Sequence, residues 1–541
     1  MKDISSTGSF VDFTLENFIY VDKTVYIPQL VKLKRVFISR PRRFGKSLTL
    51  DTIATLFETG VEPYFKGTWI YDKWTEPTYP VLRLNFLNFD KNTLEKFNNK
   101  LNSKITEFAE LNQVTTYKEK DEAEDSIDHL LEQLRLEGRQ IVILIDEYDC
   151  QMTANINNET LYKQFQEKIK SFYANIKDKF AIKFLGITGV TRLKDVSIFS
   201  VGSDINDITN ASAYSQMIGF TRDEIKKYYI DYLKLASSYE NNCSVDDVTD
   251  TQLESMLDMI AQNYDGYCFD EDYEKKVFST WSVNKFFQTM IEKKKVQFGE
   301  YWYDNGGLPS ILVNYLKTHE LNIFEYLDKD KFLKVSSDDF KNPTALTTIN
   351  QNVLMCQTGY LTLRSDLNKT STVALGIPNG EIYKALNRLL ANNIFKGNTD
   401  ITDDYGRSLL EVGTVDDIIN LFNSALNSVS YDNYPIVSES SVQNMLKLYL
   451  LGAHQEVLSE VHEAKGRADL VVNTDNRRIV FEFKYAKNEA EAKSKLSEAV
   501  EQIKTRDYGN ILPKKNELIR IAAVFNADPK VRAFTENQIV P

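Results

Sequence analysis

Cysteine is scarce: 541 residues hold four, Cys150, Cys243, Cys268 and Cys356, with no C-x-x-C pair among them. That usage excludes a disulfide-stapled scaffold. The four histidines, His129, His319, His454 and His462, have no cysteine close in sequence, so a structural zinc site has little support and any metal is expected on carboxylates. Eighteen apolar residues nowhere run together, and the N-terminus lacks a basic start followed by an apolar stretch. No membrane partner is therefore expected, and a cytoplasmic location is expected by default. Glycine (22) and proline (12) are few while hydrophobic residues reach 42%, which favours buried cores over a disordered or fibrous chain. An excess of positive charge is also missing. Lys plus Arg 65 against Asp plus Glu 77 gives −12, which is not the charge of a general nucleic-acid coat, so any nucleic-acid site has to be local.

The length predicts roughly three or four domains, and no repeat of twenty to fifty residues recurs. Over the first 215 residues, short β-rich runs alternate with long polar helical patterns. The runs are RVFIS at 35–39, VLRLNF at 81–86, IVILI at 141–145 and IKFLGIT at 182–188. Such alternation predicts an α/β fold with a parallel sheet, and IVILI, apolar throughout, suits a central strand. Helical patterns then dominate to about residue 345, opened by a T-x-x-E capping box at Thr221 and Glu224. Trp281 and Trp302 in that stretch are expected in the core rather than on a base-stacking surface. Residues 346–430 are mixed, with a helix expected from PNGEIYKALNRLL, and the last hundred residues return to α/β.

Residues 36–50, VFISRPRRFGKSLTL, read as strand, loop and helix start, the context in which backbone N–H groups at a helix N-terminus meet phosphate oxygens. Lys46 is expected to bridge the β and γ phosphates of ATP, and Ser47 to ligate magnesium. The first glycine of G-x-x-x-x-G-K-[ST] is replaced by Arg40. About a hundred residues later, IVILIDEYD puts Asp146 and Glu147 at a strand end, where open α/β sheets bind ligands. Asp146 would hold the magnesium shell and Glu147 would orient and deprotonate the attacking water. Thr188, closing the next strand, would bond the water or the γ-phosphate, with Arg192 a weaker candidate for offsetting charge. From Lys32 to Lys46 the chain carries seven cations and no acid, a density suited to polyphosphate.

Near the C-terminus, GRADLVVNTDNRRIVFEFKY (466–485) reads as a hairpin-like unit. Strand alternation places Glu482 and Lys484 on one face and Phe481 and Phe483 on the other. Asp469 beside Glu482 would chelate Mg²⁺ or Mn²⁺, with Glu460 a further metal-ligating candidate, and Lys484 would orient or activate water against a phosphodiester. Residues 441–541 carry a net +2, leaving −14 on the remainder, so the catalytic inference rests on geometry and not on charge.

YVDKT at 20–24, SRPRRFGKS at 39–47, LIDEYD at 144–149, GFTRDEI at 219–225, YDGYCF at 264–269 and QTGYLT at 357–362 resemble the bacterial AAA-ATPase-like family, whose members typically end in a PD-(D/E)XK nuclease-like domain. The resemblance covers nearly the whole chain. It implies that RPRRFGKS is the family's own phosphate loop, with Arg43, Phe44, Gly45, Lys46, Ser47 and Leu48 on the nucleotide, and that Tyr20, Asp22 and Lys23 lie near it. It also implies that Gln502 and Tyr508 lie near the nuclease-like site, Gln502 as a catalytic candidate. Ala468 stands where that superfamily has its proline. The fold expected is α/β: an AAA-ATPase-like P-loop NTPase domain (1–215), a helical lid (216–345), a mixed connection (346–430) and a restriction-endonuclease-like α/β domain (431–541). The expected function is ATP binding and hydrolysis coupled to a metal-dependent nuclease-like module. The alternative is a regulatory ATP switch whose module binds nucleic acid or protein without cutting. Partners expected are a nucleotide and nucleic acid, DNA ahead of RNA; a homo-oligomer is left open.

Overall fold

A computed structural model of the chain describes residues 1–177, 179–193, 204–304, 310–316, 319, 323–343, 345–395, 405–453, 456–463, 466–506, 508–509 and 515–541. The chain divides into two compact units, one of Met1–Leu321 with Asp330–Ile382 and the other of Asn322–Lys329 with Tyr383–Pro541.

The first unit is built on a five-stranded sheet in the order β2–β3–β4–β1–β5, every pairing parallel. Its strands are β1 (Arg35–Ser39), β2 (Val81–Asn85), β3 (Ile141–Asp146), β4 (Ile182–Gly189) and β5 (Asn206–Asp207). All of β3 is buried, which is why IVILI carries no polar position: helices cover both faces of a parallel sheet. The helices Leu94–Leu111, Ala123–Leu136 and Glu159–Ile176 each bury one stripe, such as Ile127, Leu130, Leu131 and Leu134. Each fully buried leucine or isoleucine there contributes about 1.5–3 kcal/mol. Because β3, β4 and β1 are neighbours, their C-terminal ends collect the loops after Ser39, after Asp146 and around Thr188 on one edge.

The helical region starts where the capping box predicts. Thr221 Oγ1 accepts from the Glu224 N–H at 3.2 Å while the Glu224 carboxylate accepts from the Thr221 N–H at 2.8 Å. Helices Ile230–Asn241, Asp250–Tyr264 and Thr280–Lys293 pack around Tyr232, Leu257, Ile260, Phe286 and Phe287. A small antiparallel sheet, ordered β6–β8–β7, follows from β6 (Leu333–Ser336), β7 (Thr362–Leu363) and β8 (Thr372–Gly376). Trp302 is fully buried, as expected of a core residue, whereas Trp281 is only half-buried and lines a cavity wall.

The second unit has a mixed sheet, β13–β12–β11–β10–β9, from β9 (Glu456–Glu463), β10 (Gly466–Asn473), β11 (Arg477–Ala486), β12 (Glu517–Asn526) and β13 (Ala533–Val540). Only β11 and β12 are parallel, and the helix Glu489–Arg506 makes the crossover a parallel pair needs. That helix packs Ala499, Val500 and Ile503 on Val471, Val480 and Ala522. On the opposite face Phe481 meets Phe422 (5.3 Å between ring centroids) and Phe483 meets Phe534 (5.6 Å). Period-two alternation therefore leaves Glu482 and Lys484 on the face of Val480.

Candidate functional site

The helix Lys46–Thr59 begins directly after the loop, and its N-cap Gly45 sits at φ +100°, a conformation that favours glycine. Lys46 is buried, and its ammonium donates to the carbonyls of Arg40 (3.0 Å) and Pro41 (3.2 Å) and lies 3.5 Å from Glu147 Oε1. Ser47 Oγ donates to Asp146 Oδ2 at 2.6 Å, and Asp146 Oδ1 accepts from the Thr188 hydroxyl and from the Glu147 N–H at 3.0 Å. Lys46, Ser47, Asp146, Glu147 and Thr188, from three separate segments, thus meet at one sheet edge. They adjoin a cavity of about 350 Å³ whose wall includes Lys46, Ser47, Leu48, Glu147, Tyr20 and Lys23.

Arg43, also at positive φ (+70°), does not reach along the loop. Its guanidinium donates to the carbonyls of Tyr301 and Trp302, each at 3.0 Å, and lies over the Trp281 ring at 4.5 Å. Its own carbonyl accepts from Thr280 Oγ1 (3.0 Å) and the Trp281 N–H (3.3 Å), at the start of the helix Thr280–Lys293. Arg43 therefore ties the loop to the helical region. Phe44 is buried edge-on against Tyr267 (4.7 Å). Asp22 stands apart from its neighbours: its carboxylate accepts from the Thr24 N–H (2.9 Å), the Thr24 hydroxyl (2.7 Å) and the Trp69 N–H, which shapes the segment carrying Tyr20 and Lys23. Lys23 pairs with Glu224 at 2.6 Å, and Arg192 pairs with Asp207. Arg40, in place of the first glycine, is fully buried over the Phe269 ring at 4.2 Å. Asp149, the third acid of LIDEYD, is buried and accepts from the Thr191 N–H and hydroxyl, both at 2.6 Å; burial and then the nearby Glu147 charge push its carboxyl up.

In the second unit, Asp469 Oδ2 accepts from the Phe483 N–H at 2.9 Å, which brings the β10 acid beside the β11 acid. Glu482 is fully buried; burial first, then the Asp469 charge, push its carboxyl up to about 7. Its Oε1 accepts from Lys484 Nζ at 2.9 Å, and its Oε2 is buried with no hydrogen-bond partner among the described residues. Burial lowers Lys484, but Glu482 and then Glu439 outweigh it and hold the ammonium above its ordinary range. Asp469, Glu482 and Lys484 converge as the hairpin pattern predicts. Glu439 was not anticipated: it opens the helix Glu439–Gly452 and receives Lys484 Nζ at 3.1 Å. The helix-start signature SES (438–440) was readable, but the contact spans 45 residues of sequence and had no local signal. Gln443, one turn on, donates to the Asp469 carbonyl.

Gln502 is half-buried on the crossover helix, one turn before Arg506 and so on the same face. Arg506 donates to Tyr508 Oη at 2.7 Å and is held above its ordinary range by that bond first, and also by Glu482 and Asp469. Tyr508 is buried in the packing of the same helix. Glu460 lies in β9, and its side chain falls outside the described residues. Among the described residues no three Asp, Glu, His or Cys side chains form a metal-holding group. Two carboxylates with one orphaned buried oxygen nevertheless fit a hard divalent ion, since magnesium is commonly held by one or two carboxylates and water.

Residues 5–199 match the model of a family described as predicted AAA-ATPase, and residues 437–535 match that of the PD-(D/E)XK nuclease superfamily. The chain thus carries an AAA-ATPase-like domain and a PD-(D/E)XK nuclease superfamily domain. An uncharacterised protein in the vnfD 5′ region of Azotobacter chroococcum mcd 1 is 26% identical over 535 residues, spanning 95% of this chain and 94% of that protein. Similar solved structures include Cdc6p from Pyrobaculum aerophilum (11% identity, 68% of this chain and 91% of that one, TM-score 0.24). They also include the Aeropyrum pernix ORC2 protein in ADPNP–ADP complexes (10%, 68% and 91%, 0.28) and the Aeropyrum pernix ORC1 protein in complex with DNA (9%, 71% and 97%, 0.27). No helix among the described residues is long and apolar enough to cross a membrane.

Proposed function

We propose that the first unit binds and hydrolyses ATP and that the second cleaves nucleic-acid phosphodiesters, DNA ahead of RNA, in a metal-dependent reaction. The observation that carries this reading is a repeated one. At each site a lysine ammonium lies against one carboxylate with a second acid close by: Lys46 on Glu147, beside Asp146, and Lys484 on Glu482, beside Asp469.

At the first site, Lys46 exchanges the carbonyls of Arg40 and Pro41 for β and γ phosphate oxygens, which the N–H groups at the start of the Lys46 helix also meet. Glu147 accepts the proton of the attacking water, and the Thr188 hydroxyl fixes Asp146 against Ser47. At the second, Lys484 offsets the charge that develops on the attacked phosphate, while Glu439 and Glu482 fix its ammonium from two sides. Magnesium, held by Ser47 and Asp146 at one site and by Asp469 and Glu482 at the other, would supply Lewis-acid stabilisation of the phosphoryl oxygens. Gln502 and Arg506, one turn apart on the crossover helix, would contact the nucleic-acid backbone. ATP hydrolysis would gate cleavage, a coupling motivated by the two sites sharing one chain.

The test uses the full chain, with labelled single-stranded and duplex DNA and RNA, Mn²⁺ or chelator, and ATP, alongside phosphate release from ATP alone. Lys484→Ala is expected to abolish cleavage and spare ATP turnover; Lys46→Ala is expected to cut ATP turnover sharply and spare nucleotide-free cleavage. Cleavage that survives Lys484→Ala, or turnover that survives Lys46→Ala, sinks the corresponding half. Equal cleavage in every nucleotide condition removes only the gating.

A further inference from the structure

The basic run from Lys32 to Lys46 does not form one surface. Strand β1 passes through its middle, so Arg40, Arg42, Arg43 and Lys46 follow its C-terminal end while Lys32, Lys34 and Arg35 stay at its N-terminal end. Five extended residues separate the two groups by roughly 15 Å, too far for both to grip one triphosphate. The sequence expectation of a single polyphosphate-binding stretch is corrected accordingly: three of its seven cations belong to another place.

That place is a groove of about 660 Å³ at the N-terminal edge of the sheet, lined by Lys32, Lys34, Arg35, Lys73, Lys179 and Lys183 against one lining carboxylate, Glu76. Three of these cations are compensated: Arg35 by Asp204 at 3.0 Å, Lys179 by Asp128, and Lys183 by Glu76 at 2.7 Å. Lys32, Lys34 and Lys73 are exposed and have no carboxylate partner among the described residues. Lys73 instead rests on the Trp69 carbonyl (3.1 Å) and over its ring (4.7 Å). In a chain of net charge −12, three uncompensated lysines around one groove make a local positive field. Two aromatics complete it. Phe180 stands on the wall 66% exposed, and the Trp74 indole N–H is buried in the wall without an acceptor among the described residues.

We propose that this groove binds the phosphodiester backbone of single-stranded nucleic acid, as a site separate from the nucleotide cavity. Cations that track a backbone beside an exposed ring on which a base can stack are the two elements of sequence-tolerant single-strand binding. A lipid surface would need an apolar face to insert, and Phe180 is a single ring. The inference rests on the reading of the chain as a nucleic-acid enzyme, but it uses none of the residues assigned to cleavage or to ATP.

The experiment measures binding of fluorescein-labelled oligothymidine and of a duplex to the full-length chain across a salt series. The triple variant Lys32→Gln, Lys34→Gln, Lys73→Gln is expected to weaken single-strand binding at least tenfold. It should also lower the slope of log affinity against log salt by about 2, at about 0.7 per lost phosphate contact. Its ATP turnover should be unchanged, which also reports that it is folded. Phe180→Ala is expected to weaken single-strand binding several-fold and leave duplex binding alone. Unchanged affinity and slope in the triple variant overturn the site. Tripolyphosphate or phosphatidylserine vesicles binding to the groove lysines while oligothymidine does not would overturn the choice of ligand. Lys484→Ala run in parallel separates the readings: lost cleavage with retained binding leaves both standing, and retained cleavage refutes the nuclease assignment without touching the groove.

Discussion

The two lysine–carboxylate clusters differ in how completely their acids are satisfied. Asp146 receives three donors, from Ser47, Thr188 and its neighbour's N–H, all from its own unit. Among the described residues Glu482 receives one, from Lys484, and its second oxygen is buried with none. A buried acceptor left unsatisfied costs about 1–3 kcal/mol. The first cluster is a closed network; the second leaves one acceptor open, the place where the proposed cation would bind. Strain at a functional site is expected to sit where a ligand later relieves it.

The largest test of this contrast removes the acid charge. Glu482→Gln keeps the shape and the bond from Lys484 but loses the anion, so Mn²⁺-dependent cleavage should fall by about 10³-fold, roughly the 4 kcal/mol at stake when a charge-stabilising metal is lost. Initial rates on labelled DNA measure it, and a fall under tenfold would mean that Glu482 is not in the reaction. Lys46→Ala comes next. ATP turnover should drop by about 10²-fold, as when one preorganised phosphate-stabilising group is lost. Because Asp146 keeps its donors from Ser47, Thr188 and the Glu147 N–H, the thermal midpoint should barely move, and a collapse of stability would contradict the closed network.

What could be read in advance follows the physics of each element. Strands β1 to β4 and β10 to β12 announce themselves as apolar runs because both faces are covered or because alternation is strong. Strand β13 (AFTENQIV) is a sheet edge, and its polar positions look like a tail; β9 (EVLSEVHE) mixes acids, polar and apolar residues without a clean alternation and reads as a charged segment. The sheet β6–β8–β7 has strands of four, five and two residues, too short for a period to show. Within the sites, residues a strand period or a helix start apart were legible, as with Glu482 and Lys484 or Lys46 and Ser47. Glu439 on Lys484, Arg43 on Trp281 and Asp22 on Trp69 were not, since each contact joins segments that only tertiary folding brings together.

A pH series sharpens the contrast further. The Glu482 carboxyl is raised to about 7, by burial and then by Asp469, so its protonated form is favoured in the fold. With the folded value above the unfolded one, its contribution to stability is fully present below the ordinary glutamate range near 4.5 and is lost as pH rises through 7. Mn²⁺ requires the anion, so its affinity should rise up to about tenfold per pH unit below 7 and level off above it. Titration calorimetry in buffers of differing ionisation enthalpy measures the proton released. Glu482→Gln should flatten both the stability and the affinity profiles, and a wild-type affinity constant from pH 6 to 8 would refute the coupling.

The smallest effect is expected where a buried acid is fully satisfied although no ligand is called for. Glu381 accepts from the Trp302 N–H and from Ser282 Oγ, both at 2.7 Å, and burial pushes its carboxyl up to about 8. It helps hold the segment whose carbonyls receive Arg43. Near neutral pH the group is largely uncharged, so Glu381→Gln replaces one neutral acceptor with another and should change stability by about 1 kcal/mol or less. Stability of the wild type should fall as pH rises through 8, because the buried carboxylate then has to form, and the Gln variant should lose that slope. Denaturant midpoints at pH 7 and 9 for both proteins give the answer. If Glu381 were instead an anion held by Arg43, the Gln variant would be markedly destabilised at pH 7 and would bind ATP more weakly. The clamp on the phosphate loop would then be an ion pair that depends on the acid's charge, and not part of the closed network of satisfied groups around the first site.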